Sequence, residues 1–395
     1  MRHPALVKAL PFVLLLFLYS VCCFFGYGND GDTYAMLRTW KAIVTDFHYV
    51  PSRWQGYLVP ELIIGLSSSI GGFYLSNLMS ASVSLAALAF LYRLLVNRFS
   101  SLTAVLVILG IGTNPYWIIA SSSSIDYVYG VFFFVLALYL WINGKSVSAS
   151  VVFALAASSR ITYVPLIGIV YFSSFLFAKY NKKTLIKAIT GFIIMSCLLY
   201  FPVFYSSGMS FSFLGFSSGQ WSFLQYAARF VYKNIYLWGL PAFLFLITVI
   251  CIEISRIKTR FTQYTLVEKT IFYSVAVAFV LTEALFARLP HEIAYLFPVM
   301  FIVVCFLAVL KRSYLYLTML ILLHLMYGVV NFDVLNIQYK QGVNPLDFKE
   351  AAAAETGFFV RRGVVIEDLA NRKTAQEFYL KKYLINNKQG GNNHD

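Results

Sequence analysis

The chain predicts a helical, multispanning membrane protein, and three observations predict it. First, its 395 residues are 59% hydrophobic, 18% aromatic and only 12% charged, with a mean hydropathy of +0.72. A soluble domain carries about 25% charged residues. Second, apolar runs of membrane length recur along the chain as far as residue 331. Third, the basic residues behind the net charge of +14 fall in short loops between those runs and in the C-terminal tail. That distribution orients a polytopic protein beside anionic lipid and argues against nucleic acid as a partner. The five cysteines all sit in apolar runs without metal-ligand spacing, so they read as small buried hydrophobes. No internal repeat and no nucleotide-binding loop is visible.

Arg2, His3 and Lys8 precede an apolar run over 9–27 that no small-residue cleavage site closes; it reads as a retained first helix entering from the cytoplasm. The polar segment Gly28-Asn29-Asp30-Gly31-Asp32-Thr33-Tyr34 then sets two carboxylates at the water–lipid boundary. Such groups are expensive there and usually persist because they act on something. Over 33–46, Tyr34, Leu37, Trp40 and Ile43 recur at spacings of three and four, which predicts an amphipathic helix along the interface. Asp32 stands near its N-terminus, as a working carboxylate or simply as the N-cap.

Further crossings are expected near 63–92, 102–120, 127–142, 147–161, 162–178, 185–204, 235–254, 267–286, 292–310 and 314–331, several of them short for about 30 Å of hydrocarbon. With the first helix this makes an all-α bundle of roughly eleven transmembrane helices, N-terminus inside and C-terminus outside. Residues 206–234 form an outside loop whose Arg229 and Lys233 are expected to face lipid headgroups. The organisation is a transmembrane domain over 1–331 and a small polar external tail over 332–395. The tail has helical candidates in its alanine stretch and at 373–384, and a disordered end at 386–395.

Three separated regions collect polar chemistry on the external side. They are Asp30/Asp32, the 49–57 stretch with Arg53, Tyr57 and nearby Glu61, and the 288–298 stretch with Arg288, His291, Glu292 and Tyr295. Arg160 and the Asp126/Tyr127 pair are candidates to line the same cavity. An aspartate can take the proton of a hydroxyl attacking an acetal carbon, while an arginine holds a departing phosphate bidentately. Structural alternatives stand beside these roles: Arg160 snorkelling at a helix end, Arg53 braced by Glu61, and Arg288 bridged to Glu292 four residues on. The residues assign no cofactor. The Asp30/Asp32 pair could help hold a divalent cation, but no metal ligand set is assigned, and the dispersed histidines argue against zinc.

In the order of these motifs, through about residue 331, the chain resembles the GT-C superfamily of integral-membrane glycosyltransferases, and within it the bacterial ArnT/PMT-like group. The resemblance implies a GT-C-like helical bundle with interfacial helices in the first external loop. It implies transfer of a sugar, with inversion, from a polyprenyl-phosphate-linked donor whose lipid carrier is, for instance, undecaprenyl phosphate. The acceptor would be a cell-envelope glycan or glycolipid, for instance lipopolysaccharide, on the periplasmic face of a bacterial inner membrane. Asp32 best matches the family's catalytic acid, with Asp30 second, although Gly31 separates two acids that many relatives have adjacent. Arg288 is the first choice for the donor phosphate, followed by Arg160 and Arg53. His291 would assist as a donor, Glu292 would orient its neighbours, and Tyr34, Trp54, Tyr57 and Tyr295 would stack on sugar rings or shape the cavity. A transporter or flippase of lipid-linked sugars is the competing class; it would show paired halves and charges near the bilayer midplane. A structural or assembly protein would leave the acidic and basic groupings without a use.

Overall fold

The computed structural model describes residues 4–176, 181–211, 223–263, 265–288, 290, 292–339 and 351–385. His291, residues 212–222 of the 206–234 loop and the expected disorder at 386–395 lie outside the described residues. Helix α1 (Pro4–Cys22) carries the first apolar run. The helix expected over 33–46 is α2 (Gly31–Asp46), burying Tyr34, Met36 and Leu37 and ending where Phe47 turns left-handed at φ 51°. Helix α3 (Leu58–Leu95) has 38 residues and kinks at Gly71-Gly72. After it come α4 (Ser101–Gly112) and α5 (Pro115–Ser121), separated where Asn114 stops one helix and caps the next by accepting from the Tyr116 and Trp117 amides.

The middle of the chain supplies α6 (Tyr127–Ile142), α7 (Ser146–Ser159), α8 (Val164–Leu176) and α9 (Lys182–Ser206). Helices α10 (Phe223–Trp238) and α11 (Leu240–Gln263) meet at Gly239, whose φ is +75°. Helices α12 (Leu266–Arg288), α13 (Phe297–Leu307) and α14 (Ser313–Val329) complete the bundle. The tail is more ordered than a polar cap. An antiparallel pair, β1 (Val330–Tyr339) and β2 (Ala351–Arg362), sets Val330 opposite Arg362, and α15 (Val364–Leu380) folds back onto α14, α5 and α2. The alanine stretch is therefore strand, because its backbone pairs with β1.

The expectation of about eleven crossings is overturned. Among the described residues three helical segments are long and apolar enough to cross a membrane: Leu58–Leu95, Lys182–Ser206 and Ile271–Arg288. The number rises to five if two bent pairs each count as one span, α4 with α5 at 75° and α10 with α11 at 91°. The other apolar runs make helices of 10–17 residues. A full crossing takes about 20 residues, and shorter runs suit buried core helices or re-entrant segments equally well. Hydropathy alone does not separate helix packed on helix from helix facing lipid, and here α3, α6, α7 and α9 pack on one another.

Two loops at one end of this bundle are sewn together. The Asn77 amide of α3 donates to the Cys23 and Gly26 carbonyls at 3.1 and 2.7 Å and accepts from Ser124 Oγ at 2.7 Å. The Ser124 amide donates to the Tyr27 carbonyl at 2.7 Å. The segment holding Asp30 and Asp32 is thereby fixed against the segment that leads to Asp126.

Candidate functional site

The first loop turns into α2 through Gly28 at φ +146°, where a Cβ would press on Ser123 and Thr33. The N-cap is Asp30 rather than Asp32, which removes the capping alternative for Asp32. Asp30 Oδ1 accepts from the Asp32 amide at 3.0 Å, and Oδ2 accepts from the Tyr127 hydroxyl at 2.6 Å. Both Asp30 oxygens are thus committed to the scaffold. Asp32 lies in the first turn, where the helix dipole favours negative charge. Its side chain is 29% exposed and its Oδ2 is 3.1 Å from Arg53 Nε.

Arg53 is placed by a buried carboxylate behind it. Glu61, fully buried at the start of α3, accepts from the Ser52 amide at 2.9 Å, the Ser52 hydroxyl, the Tyr49 hydroxyl at 2.7 Å and the Tyr57 amide at 3.3 Å. It braces the whole 49–57 loop without pairing with Arg53. Freed from that contact, Arg53 reaches three other acids: Asp32 through Nε, Asp126 through Nη2, and Glu292 through Nη1 at 3.5 Å.

Arg160 does not snorkel. Helix α7 ends at Ser159, and the chain turns extended at Arg160 (φ −157°, ψ 115°), which swings its side chain inward. It is only 2% exposed; Nε donates to Asp126 Oδ2 at 2.6 Å and Nη2 to Glu292 Oε2 at 3.0 Å. Arg53, Asp126, Arg160 and Glu292 therefore form a closed ring of alternating charge, with Asp32 attached at Arg53. The rings of Tyr127 and Tyr295 lie 4.4 and 4.9 Å from the Arg160 guanidinium, and Tyr57 lies 4.7 Å from that of Arg53. Cations on aromatic faces gain most where water is scarce. Arg160 Nη1 is buried with no hydrogen-bond partner.

Four carboxylates, Asp30, Asp32, Asp126 and Glu292, outnumber the two guanidiniums. Burial raises the carboxyl of Asp32 well above the ordinary range; Arg53 works against this, and the charges of Asp30, Glu292 and Asp126 add to it. Asp30 is raised by burial and by Glu292. For Glu292 burial also pushes upward, but Arg53 and Arg160 outweigh it and hold the group at about 2. Lys233 on α10 is half-buried. Among the described residues no three His, Cys, Asp or Glu side chains gather so as to hold a metal ion. The guanidiniums stand between the carboxylates instead.

The remaining sequence candidates are distributed around this ring. Tyr34 is buried, its hydroxyl donating to the Gly28 carbonyl at 2.9 Å and its ring stacked on Tyr379. Trp54 stays exposed. Arg288 is exposed at the end of α12, and it lines a largely apolar groove with Thr162, Leu166, Leu285, Phe286 and Tyr295. Glu292 is spent on Arg53 and Arg160, and Tyr295 belongs both to the Arg160 cage and to the Arg288 groove.

In backbone arrangement the chain matches crystal structures of ArnT from Cupriavidus metallidurans, with TM-scores of 0.60 for the undecaprenyl phosphate-bound form and 0.56 for the apo form. The chain shares the fold of ArnT. The resemblance to the ArnT-like group read from motif order therefore holds for the fold. Identity to ArnT is 11% and 13% over 80% and 79% of this chain. The match covers 63% and 61% of ArnT, so the chain aligns with about three fifths of that protein's length. No family model and no curated protein sequence matches the chain.

Proposed function

We propose that this membrane protein is a glycosyltransferase that moves a sugar from a polyprenyl-phosphate donor to a cell-envelope glycan or glycolipid. The loop charges favour the external face as the side where it acts. The observation that carries the reading is the condition of Asp32. It is part-exposed, its ion pair among the described residues is with Arg53, and its pKa is raised by its surroundings, while Asp30 and Asp126 are committed at both oxygens. A carboxylate whose affinity for a proton exceeds that of a free aspartate is suited to general-base work.

In the reaction the acceptor hydroxyl gives its proton to Asp32 as its oxygen bonds to the anomeric carbon. The bond from that carbon to the phosphate oxygen breaks on the opposite face, inverting the centre and releasing the lipid phosphate with the electron pair. Arg288 is our choice for the charge that accumulates there: its planar fork suits phosphate, and its neighbours Leu166, Leu285 and Phe286 are apolar. Arg53 and Arg160, neutralised by their acids, set the position and protonation of Asp32, and Arg160 Nη1 remains able to donate to substrate. Tyr57 and Tyr295 wall the sugar space. His291 is an assisting donor in this scheme.

The test is transfer by purified protein from a panel of polyprenyl-phosphate monosaccharides to envelope glycolipid, followed by release of the lipid phosphate. Arg288→Ala is expected to weaken donor binding and turnover together, with Arg288→Lys recovering part of each. Unchanged donor affinity in Arg288→Ala, with lowered thermal stability, would make Arg288 structural and move the phosphate role to Arg160 or Arg53.

A further inference from the structure

The tail helix α15 touches both loops that supply the acids, and it does so with a side chain the reaction scheme does not use. Arg372 is completely buried. Its Nη1 donates to the Ser122 and Cys22 carbonyls at 2.6 and 3.2 Å, its Nη2 to the Ser122 and Ser123 hydroxyls at 3.1 and 2.9 Å, and its Nε to Asp368 at 2.7 Å. A guanidinium has five N–H groups, and each has an acceptor here. One acceptor lies at the end of α1, where the Asp30/Asp32 loop departs, and three lie in the segment that enters Asp126 four residues later. One turn further along α15, Gln376 Oε1 accepts from the Tyr27 amide at 3.4 Å. Another turn on, the Tyr379 ring stacks on Tyr34 with centroids 5.1 Å apart. That ring lies so close over Gly31 that a Cβ there would stand 3.1 Å from it.

Three successive turns of one helix therefore hold the start, the middle and the opposing wall of the loop that carries Asp32. Resting on the reading of Asp32 as general base, we infer that α15 is a positioning clamp of the active site. Arg372 is its key residue: it acts on turnover through Asp32 without touching substrate. A planar five-donor group bonded at every position fixes direction as well as distance. A lysine at 372 would keep the charge but offer three donors from a single atom. Catalytic groups displaced by about 1 Å through a change far from the chemistry lose on the order of 100-fold in rate.

The experiment uses full-length protein in lipid nanodiscs and compares wild type with Arg372→Lys and Tyr379→Leu. Kinetics report kcat per folded molecule and the KM for donor; hydrogen–deuterium exchange reports protection of the amides over 28–33 and 122–126. A clamp predicts a kcat lowered by about 100-fold in Arg372→Lys with donor KM near wild type. It also predicts faster exchange in both loops, with α6 and α7 unchanged, and the same pattern, weaker, in Tyr379→Leu. If Arg372→Lys does not fold, Tyr379→Leu carries the test alone. A helix that only stabilises the fold would lower the melting temperature and leave kcat per folded molecule and loop exchange at wild-type values, which overturns the inference. Exchange requires no donor, so a wild type that transfers no sugar would sink the proposed reaction while the loop protection still decided the clamp.

Discussion

Arg160 and Arg372 are both buried guanidiniums, 2% and 0% exposed, yet they are satisfied in opposite ways. Arg372 has an acceptor for every donor, and four of its five bonds go to neutral carbonyls and hydroxyls. Arg160 meets two carboxylates, leans on the faces of Tyr127 and Tyr295, and leaves Nη1 without a partner. A buried donor left unsatisfied costs about 1–3 kcal/mol, so it persists where something outside the chain is to take it or where strain serves the site. Every donor of Arg372 is satisfied within the scaffold, whereas Arg160 keeps a buried donor that is not.

That contrast can be broken most sharply at Asp32. Asp32→Asn preserves size and removes proton acceptance, so turnover is expected to fall about 10²- to 10⁴-fold with the melting temperature and donor affinity near wild type. A variant that keeps turnover within a small factor would remove Asp32 from the chemistry. Next in size is Asp126, which bridges both site arginines. Asp126→Asn leaves Arg53 and Arg160 under-compensated in a buried place and is expected to cost about 3–5 kcal/mol of stability. Asp368→Asn, whose partner Arg372 keeps four neutral acceptors, should cost about 1–3 kcal/mol. Equal losses in denaturation experiments would erase the distinction between the two arginines.

Acid titration sharpens the comparison further. Glu292 falls from 4.5 to about 2 on folding, so its stabilisation is complete above pH 4.5 and disappears as pH drops toward 2. Glu292→Gln should be less stable than wild type at neutral pH, with the gap closing through that window. Asp32 moves the other way, and the acid limb of kcat/KM should have its midpoint above the ordinary aspartate value of about 4. The smallest expected effect is Asp30→Asn: asparagine still caps α2, turnover falls less than in Asp32→Asn, and the acid limb shifts downward because one charge that raises Asp32 is gone. An unmoved limb would mean that Asp32 is not the group being titrated.

Much of the site was legible because charge is rare in so apolar a chain. Asp30, Asp32, Arg53, Arg160 and Glu292 stood out for that reason, and the structure brings them within reach of one another. Their partners were not legible. Local spacing suggested Glu61 for Arg53 and Glu292 for Arg288, but Arg53 reaches Asp126, 73 residues away. Long-range pairing follows from how helices pack, and spacing along the chain does not record it. Arg372 was harder still: it meets Ser122 across 250 residues from within a tail that reads as an ordinary polar segment. The span count failed for a related reason, since α6, α7 and α8 are as apolar as membrane helices but too short to be counted as crossings by length.

The central claim is that Asp32 drives inverting transfer from a lipid-phosphate sugar, and one measurement addresses it most directly. Purified wild type and Asp32→Asn would be given a polyprenyl-phosphate sugar of known anomeric configuration with envelope glycolipid. Lipid phosphate released and the configuration of the product would then be followed by mass spectrometry and NMR. The account predicts stoichiometric lipid phosphate and an inverted glycoside from wild type, and next to none from Asp32→Asn. Retention of configuration, or equal turnover by the two proteins, would contradict it.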